Sequence, residues 1–312
     1  MRGGPPRLPL MDTPFLSICI PAYNAGRYLP ATLATVRAQT FSDWELIVTE
    51  DGSTETVEAL VHEFARSVPQ RVSYQRQKNN RGLPATRNTG IEAARGTWIA
   101  LLDSDDLWTA DHLAGLVACA RQQPDADFVH AGCVLFESET GRELGVRAPS
   151  SAAVMDYPRS LYLNEYVVQP SSVLLSKNLW ARVQGFNPAY RYAEDREMWL
   201  RCARAGAVFA YTGHNTCRYR KHATALTTHA GPMALASAQV LQQHLDWTLI
   251  PGKLRRHLTA EAWVSAGRIT LRTAPLQARH CFSRAWRIQH SLRVAAYWLA
   301  AWALQLKPRR HS

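Results

Sequence analysis

Asp103-Ser104-Asp105-Asp106 sets three carboxylates within four residues, directly after the apolar run at 98–102. Left alone, such carboxylates repel one another, and an oxygen-preferring divalent cation relieves that repulsion. A D-x-D spacing lets one carboxylate hold the metal while the other holds a neighbouring sugar hydroxyl. The competing use is a solvated turn that caps the next helix. In Asp51-Gly52-Ser53 the carboxylate can accept a hydrogen bond from a base N–H, and Gly52 lets the backbone turn. Ser53 and Thr54 equally suit capping of a helix that begins near Val57. Arg87 follows Gly82 at a helix start and can reach a phosphate or base, or simply face solvent. Glu194-Asp195 opens an amphipathic helix, either as partner of its dipole or as a general base for an acceptor hydroxyl. His222, in Tyr219-Arg220-Lys221-His222, is a structural imidazole or a third ligand beside the acidic cluster. Arg218, Arg220 and Lys221 are basic enough to meet phosphates.

These residues need a frame that gathers them. Strands are expected at 15–20, 44–49, 71–75 and 98–102, and helices at 28–38, 57–67, 84–94 and around Leu113, Leu116, Val117 and Ala120. Alternation at this spacing means βαβ units and a mostly parallel sheet. Ligands of such sheets sit beyond the C-terminal strand ends. There the chain places Pro21-Ala22-Tyr23-Asn24, Glu50-Asp51-Gly52-Ser53 and the acidic cluster at 103–106, which therefore face one site. From about residue 128 the pattern changes. Strands are expected at 128–136 and 173–176 across a long irregular stretch, then a helix at 195–205 and a strand at 208–211. Beyond about 230 the chain reads as helical throughout.

In order and spacing these segments resemble the family 2 inverting glycosyltransferases of the GT-A fold. The resemblance runs over about residues 15–225. It is carried by Ser17-Ile-Cys-Ile-Pro-Ala-Tyr-Asn24, Asp51-Gly-Ser-Thr54, Arg81-Gly-Leu-Pro-Ala-Thr-Arg-Asn88, Leu102-Asp-Ser-Asp-Asp106, Glu194-Asp195 and Tyr219-Arg-Lys-His222. It implies an α/β fold with a Rossmann-like, mostly parallel sheet and a C-terminal helical extension. It implies that Pro21, Ala22 and Tyr23 line a nucleobase pocket, Tyr23 by stacking, and that Asp51 bonds the base. Arg87 would help hold the nucleotide and Asp103 would sit near the ribose. Asp105 would ligate Mg²⁺ or Mn²⁺, His222 would complete the metal and diphosphate site, and Asp195 would be the catalytic base. The implied partners are a nucleotide-sugar donor, a UDP-sugar, and a saccharide or lipid-linked saccharide acceptor. One departure stands out: Glu50 occupies a position where the family usually has Asp, which puts direct nucleotide contact there in question. The chain lacks the Gln-x-x-Arg-Trp segment of processive synthases, which argues for transfer of a single sugar. The loop after the first strand is not Gly-rich and basic, which counts against a sugar-nucleotidyltransferase.

With 46% apolar and 20% charged residues in 312, the composition is globular and excludes wholesale disorder or a fibrous rod. The net charge of +11 is concentrated at one end: residues 226–312 carry twelve Lys and Arg against two acids. Five of the ten Trp residues share that part. Such a mixture suggests an anionic surface. No nucleic-acid motif appears, so a lipid surface is the expected partner, with Leu292, Ala295, Ala296, Leu299, Trp302 and Leu306 close to one helical face; the alternative is a plain helical cap. The expected division is a leader at 1–13, a catalytic domain at 14–228 and a basic helical region at 229–312. No secretion signal or membrane span is expected, which implies a cytoplasmic enzyme, peripheral on the membrane face. The six Cys form no C-x-x-C pair and are expected to be reduced packing thiols.

Overall fold

The computed structural model describes residues 13–223 and 228–305. The expected leader, apart from Thr13, and Leu306 lie outside the described residues. β1 (Leu16–Ala22) and β2 (Trp44–Asp51) are buried along their whole length, as continuous apolar strands in a parallel sheet must be. The first helix, α1 (Leu29–Arg37), turns Leu29, Leu33 and Val36 onto the sheet, and α2 (Glu58–Arg66) adds Val61 and Phe64 to the same face. Next come β3 (Val72–Gln77), α3 (Leu83–Glu92) and β4 (Trp98–Leu101). Ile91 of α3 packs on the opposite face with Cys19, Ile47 and Leu101. Pro21 falls inside β1 rather than ending it. β4 pairs with β1 only as far as Cys19, so the missing N–H of Pro21 removes no bond on that side.

The rest of the domain is β5 (Leu107–Trp108), α4 (His112–Gln122), β6 (Phe128–His130), β7 (Cys133–Glu137), β8 (Glu143–Arg147), α5 (Ser151–Met155), α6 (Tyr157–Leu163), a 3₁₀ turn (Pro170–Ser172), β9 (Val173–Ser176), α7 (Lys177–Arg182), α8 (Glu194–Arg204), β10 (Phe209–Tyr211) and β11 (Cys217–Lys221). The main sheet has the order β10-β6-β9-β4-β1-β2-β3, with only β9 antiparallel to its neighbours. The chain advances from β1 to β3 in one direction, then places β4 on the other side of β1. That reversal is the switch point at which open α/β sheets bind ligands. A second sheet, β5-β11-β7-β8, stands beside it.

Two expectations are corrected here. The strand expected over 128–136 is two strands, β6 in the main sheet and β7 in the second. The break is at Ala131-Gly132, where a side chain on Gly132 would collide with Asn215. The stretch at 137–172 is not irregular. Ser150 caps α5 by accepting from the Ala153 N–H, and Asp156 caps α6 by accepting from the Arg159 N–H.

Four helices follow: α9 (Ala230–Gln243), α10 (Gly252–Thr270), α11 (Pro275–Ile288) and α12 (Leu292–Gln305). Ala236, Val240 and Leu241 of α9 join the apolar cluster that holds Met198 and Trp199 of α8. Trp263, Phe282, Val294 and Ala301 make a further cluster among the helices. The architecture is the α/β fold with C-terminal helices that the sequence implies. All six Cys are buried and free, in agreement with packing thiols. Among the described residues no helix is long and apolar enough to cross a membrane.

Candidate active site

Two strand ends build one wall of the site. At the end of β1, Pro21 and Ala22 are buried in the strand, and Tyr23 projects beyond it with 53% of its surface exposed. Only Tyr23 therefore presents a side chain at that point. The Asn24 N–H donates to Ser53 Oγ at 3.0 Å, and Asn24 Oδ1 accepts from the Thr54 N–H at 3.1 Å, which ties this end to that of β2. Asp51 is buried and accepts from the Arg81 N–H at 2.7 Å and the Gly82 N–H at 2.9 Å. It thus fixes the loop that leads into α3. Glu50 points the other way, as successive strand residues do. Its carboxylate is buried and accepts from the Val57 N–H at 3.1 Å, Thr56 Oγ1 at 3.0 Å and Tyr74 Oη at 2.5 Å. Burial would raise its pKa, but these bonds outweigh that and hold it below the usual value. Glu50 anchors the start of α2 and is turned away from the cleft, which answers the question raised by its type.

The second wall is a buried cluster of acids around one cation. Arg87 is 1% exposed. Its Nη2 donates to Asp103 Oδ1 at 2.6 Å and its Nη1 to Glu194 Oε1 at 2.9 Å. Both terminal nitrogens of Arg87 are thus engaged by carboxylates. Its task here is to hold Asp103 at the end of β4 against Glu194 at the start of α8. Burial alone would lower the pKa of Arg87; the charges of Asp103 and Glu194 overturn that and raise it. The Asp195 carboxyl is raised by burial, against the Arg196 N–H bond at 2.7 Å and the charge of Arg87. Glu194 is raised by burial and by its Asp195 neighbour, and Asp103 by burial against Arg87. A carboxylate raised in this way is a better proton acceptor near neutral pH than an ordinary Asp.

Between the two walls lies the acidic turn. His222 Nε2, at the end of β11, stands 2.9 Å from Asp105 Oδ2. Asp106, which the sequence reading left without a role, holds this junction together. Its Oδ1 accepts from the Arg220 N–H at 2.9 Å and its Oδ2 from Ser171 Oγ at 2.6 Å. Arg220 Nε also donates to the Asp105 carbonyl at 2.6 Å. Asp105 offers a hard carboxylate oxygen, which suits Mg²⁺ or Mn²⁺, and His222 sets an imidazole nitrogen beside it. Among the described residues no group of three or more His, Cys, Asp or Glu side chains is placed to hold a metal ion. Two protein ligands with the rest from phosphate and water is how Mg²⁺ is commonly held at phosphate sites.

The sequence model of glycosyl transferase family 2 matches residues 17–173, and that of glycosyl transferase family group 2 matches residues 98–304. The chain belongs to glycosyl transferase family 2. A PGL/p-HBAD biosynthesis glycosyltransferase of Mycobacterium tuberculosis is 30% identical over 193 residues, covering 62% of this chain and 71% of the relative. The putative teichuronic acid biosynthesis glycosyltransferase TuaG of Bacillus subtilis is 26% identical over 204 residues, 65% and 77% of the two chains. Among solved structures, S. aureus TarS 1-349 in complex with UDP-GlcNAc superposes with a TM-score of 0.67 at 17% identity, covering 90% of this chain and 83% of that fragment. The mannosyltransferase PcManGT of Pyrobaculum calidifontis, solved with GDP-Man and Mn²⁺, gives a TM-score of 0.61 at 20% identity over 96% and 82% of the chains. At these identities the structures establish the GT-A fold alone.

In this family 2 enzyme the fold brings together Asp103, Arg87 and the start of α8 that bears Asp195, and separately Asp105 and His222. Asp51 holds the loop that leads into α3, and Tyr23 lies exposed beyond the end of β1. Sequence reasoning missed Ser171 and the supporting role of Arg220. No local pattern marks Ser171; the only signal at Arg220 is its place two residues before His222.

Proposed function

We propose that this enzyme transfers a single sugar from a nucleotide-sugar, a UDP-sugar, to a hydroxyl of a saccharide or lipid-linked saccharide in surface-glycan assembly, with inversion at the anomeric carbon. The observation that carries this reading is the meeting of Asp105 with His222 at 2.9 Å beside the buried Asp103–Arg87–Glu194 group. The relatives support the class: an Escherichia coli protein, 38% identical over 103 residues, is a UDP-Glc:α-D-GlcNAc-diphosphoundecaprenol β-1,3-glucosyltransferase.

Tyr23 offers its exposed ring to the base, and Asp51 supplies a fixed acceptor. Asp103 faces the ribose, steadied by Arg87. A divalent ion held by Asp105 and His222 would offset the charge that grows on the leaving diphosphate. Asp195 takes the proton of the acceptor hydroxyl as its oxygen bonds to the anomeric carbon. The bond to the diphosphate oxygen breaks on the opposite face with its electron pair. One displacement inverts the configuration and leaves no covalent enzyme intermediate. Asp195→Asn is expected to lower transfer by about 10²–10⁴-fold with donor affinity unchanged. Equal loss of donor affinity would remove Asp195 from this role.

The same reading places the enzyme in the cytoplasm against an anionic bilayer. On α12, Leu292 is 90%, Leu299 56% and Trp302 46% exposed, and Ala296 and Ala300 lie open between them. A helix apolar on all sides is ordinarily covered. The basic excess of residues 226–312 gives that face charge complementarity to acidic headgroups.

A further inference from the structure

A cavity of about 590 Å³ opens between the loop that precedes α8 and the helices α9–α11. A second, of about 510 Å³, adjoins it and shares Ala189, Tyr190 and Gln239. Together they form a groove, each half within the size range of ligand sites. One wall is the loop at 187–192, whose last residue lies three positions before Asp195.

One observation joins the groove to the turn that Asp51 holds, and a second ties its loop wall to α9. Arg191, which lines it, brings Nε to 3.9 Å from where a Cβ on Gly82 would stand. The Gly82 N–H is one of the two that Asp51 holds. Tyr192, also lining it, has its ring 6.0 Å from that of His229, at the start of α9. The groove therefore begins beside the Gly82 turn that Asp51 holds and runs along α9.

The lining has a definite chemistry. Gln239, Gln242 and Gln243 project from α9 and Gln277 from α11, and no Asp or Glu lines either cavity. The charged groups are Arg191 in the first and Arg284 in the second. Trp263 Nε1 donates to Gln242 Oε1 at 2.8 Å and so orients that amide. A carboxamide both donates and accepts, which matches the paired hydroxyls of a sugar ring. Arginine without a competing acid selects phosphate or carboxylate.

We propose that this groove binds the acceptor: an oligosaccharide carrying an anionic group, laid from the Asp195 end along α9 toward Arg284. The proposal rests on the glycosyltransferase reading above. It gives α9–α11 a part in acceptor selection that the nucleotide half of the fold does not supply.

The test uses the full chain on a printed array of neutral, uronic and phosphorylated oligosaccharides, with UDP affinity measured in parallel by calorimetry. Gln239 and Thr273 are exposed side chains on different walls, so Gln239→Trp and Thr273→Trp fill the groove without entering the core. The expected result is retention of acidic oligosaccharides, a loss of about ten-fold or more in both variants and unchanged UDP affinity. Arg284→Gln is expected to weaken uronic and phosphorylated glycans and to spare neutral ones, and the stronger of the two acidic classes identifies the anion. Retention that both tryptophan variants leave intact would overturn the proposal, as would a UDP-binding protein that retains no saccharide. Groove-dependent retention by a protein that binds no nucleotide would instead fault the donor reading and leave the groove standing.

Discussion

Arg87→Met keeps most of the side chain's length and removes its charge from the centre of the acid cluster. In the native chain the guanidinium is buried between Asp103 at 2.6 Å and Glu194 at 2.9 Å. Removing one partner of a buried ion pair costs about 3–5 kcal/mol, because the remaining charge stays buried without compensation. With an unfolding entropy of about 2.1 cal/mol/K per residue over 312 residues, that loss lowers Tm by roughly 5–8 °C. The deficit carries a pH signature. Burial already raises the Asp103, Glu194 and Asp195 carboxyls, and Arg87 is the charge that opposes it. A carboxyl raised on folding binds more protons in the folded than in the unfolded state, so it loses stability as pH rises from its unfolded value through its folded value. Without Arg87 the folded values climb further and that window widens upward. The variant's deficit is therefore smaller near about pH 5 and full near about pH 8. Urea unfolding of both proteins at the two pH values measures it. A deficit below about 1 kcal/mol at the higher pH, or one independent of pH, would refute the reasoning.

Three further outcomes follow from the same geometry. A Cβ on Gly52, which has φ +63°, would lie 2.7 Å from the backbone of Asn79 and Asn80, so Gly52→Ala displaces the loop that Asp51 holds. It should weaken UDP binding about ten-fold or more and cost about 1–3 kcal/mol of stability; normal affinity by calorimetry would contradict this. The turnover rate should fall as pH drops through the raised Asp195 value, so the acid limb of its pH profile lies above the ordinary aspartate range near about 3.9; a limb at or below that range would count against Asp195. The full chain should float with anionic vesicles at low salt. Because a buried Leu is worth about 1.5–3 kcal/mol, the Leu292→Glu, Leu299→Glu double variant should lose that binding while nucleotide affinity is kept. A native chain that stays in solution, or a double variant that floats as well, would remove the bilayer from the account.

Much of the nucleotide half was legible because its signals are local. β1, β2 and β4 are short apolar runs ending in polar, chemically loaded residues, and α1 and α2 show helical periodicity on one face. The acidic turn was legible because its position after a buried strand says more than its composition. What was lost depends on distance. Arg87 meets Glu194 across 107 residues of chain and Asp103 across 16, so its burial between acids leaves no local trace. The doubt about nucleotide contact at Glu50 was sound: Asp51 turns to the loop at 81–82, whereas strand alternation buries Glu50 beside Tyr74. At 131–132 the apolar pattern continues without interruption while the chain changes sheet, and only Gly132 marks the crossing. The helices at 151–163 are set by single caps, Ser150 and Asp156, and are too short for periodicity to register.

The central claim is that Asp105 and His222 form the metal and diphosphate end of a nucleotide-sugar site. Calorimetric titration of UDP, GDP, CMP and ADP into the native chain and into Asp105→Ala, with and without Mn²⁺, tests it most directly. The account predicts that UDP binding depends on Mn²⁺ and that this dependence disappears in the variant. Metal-dependent binding of another nucleotide would keep the site and overturn the uracil reading of Asp51. Binding indifferent to Mn²⁺, or no nucleotide bound by a well-folded chain, would contradict the claim.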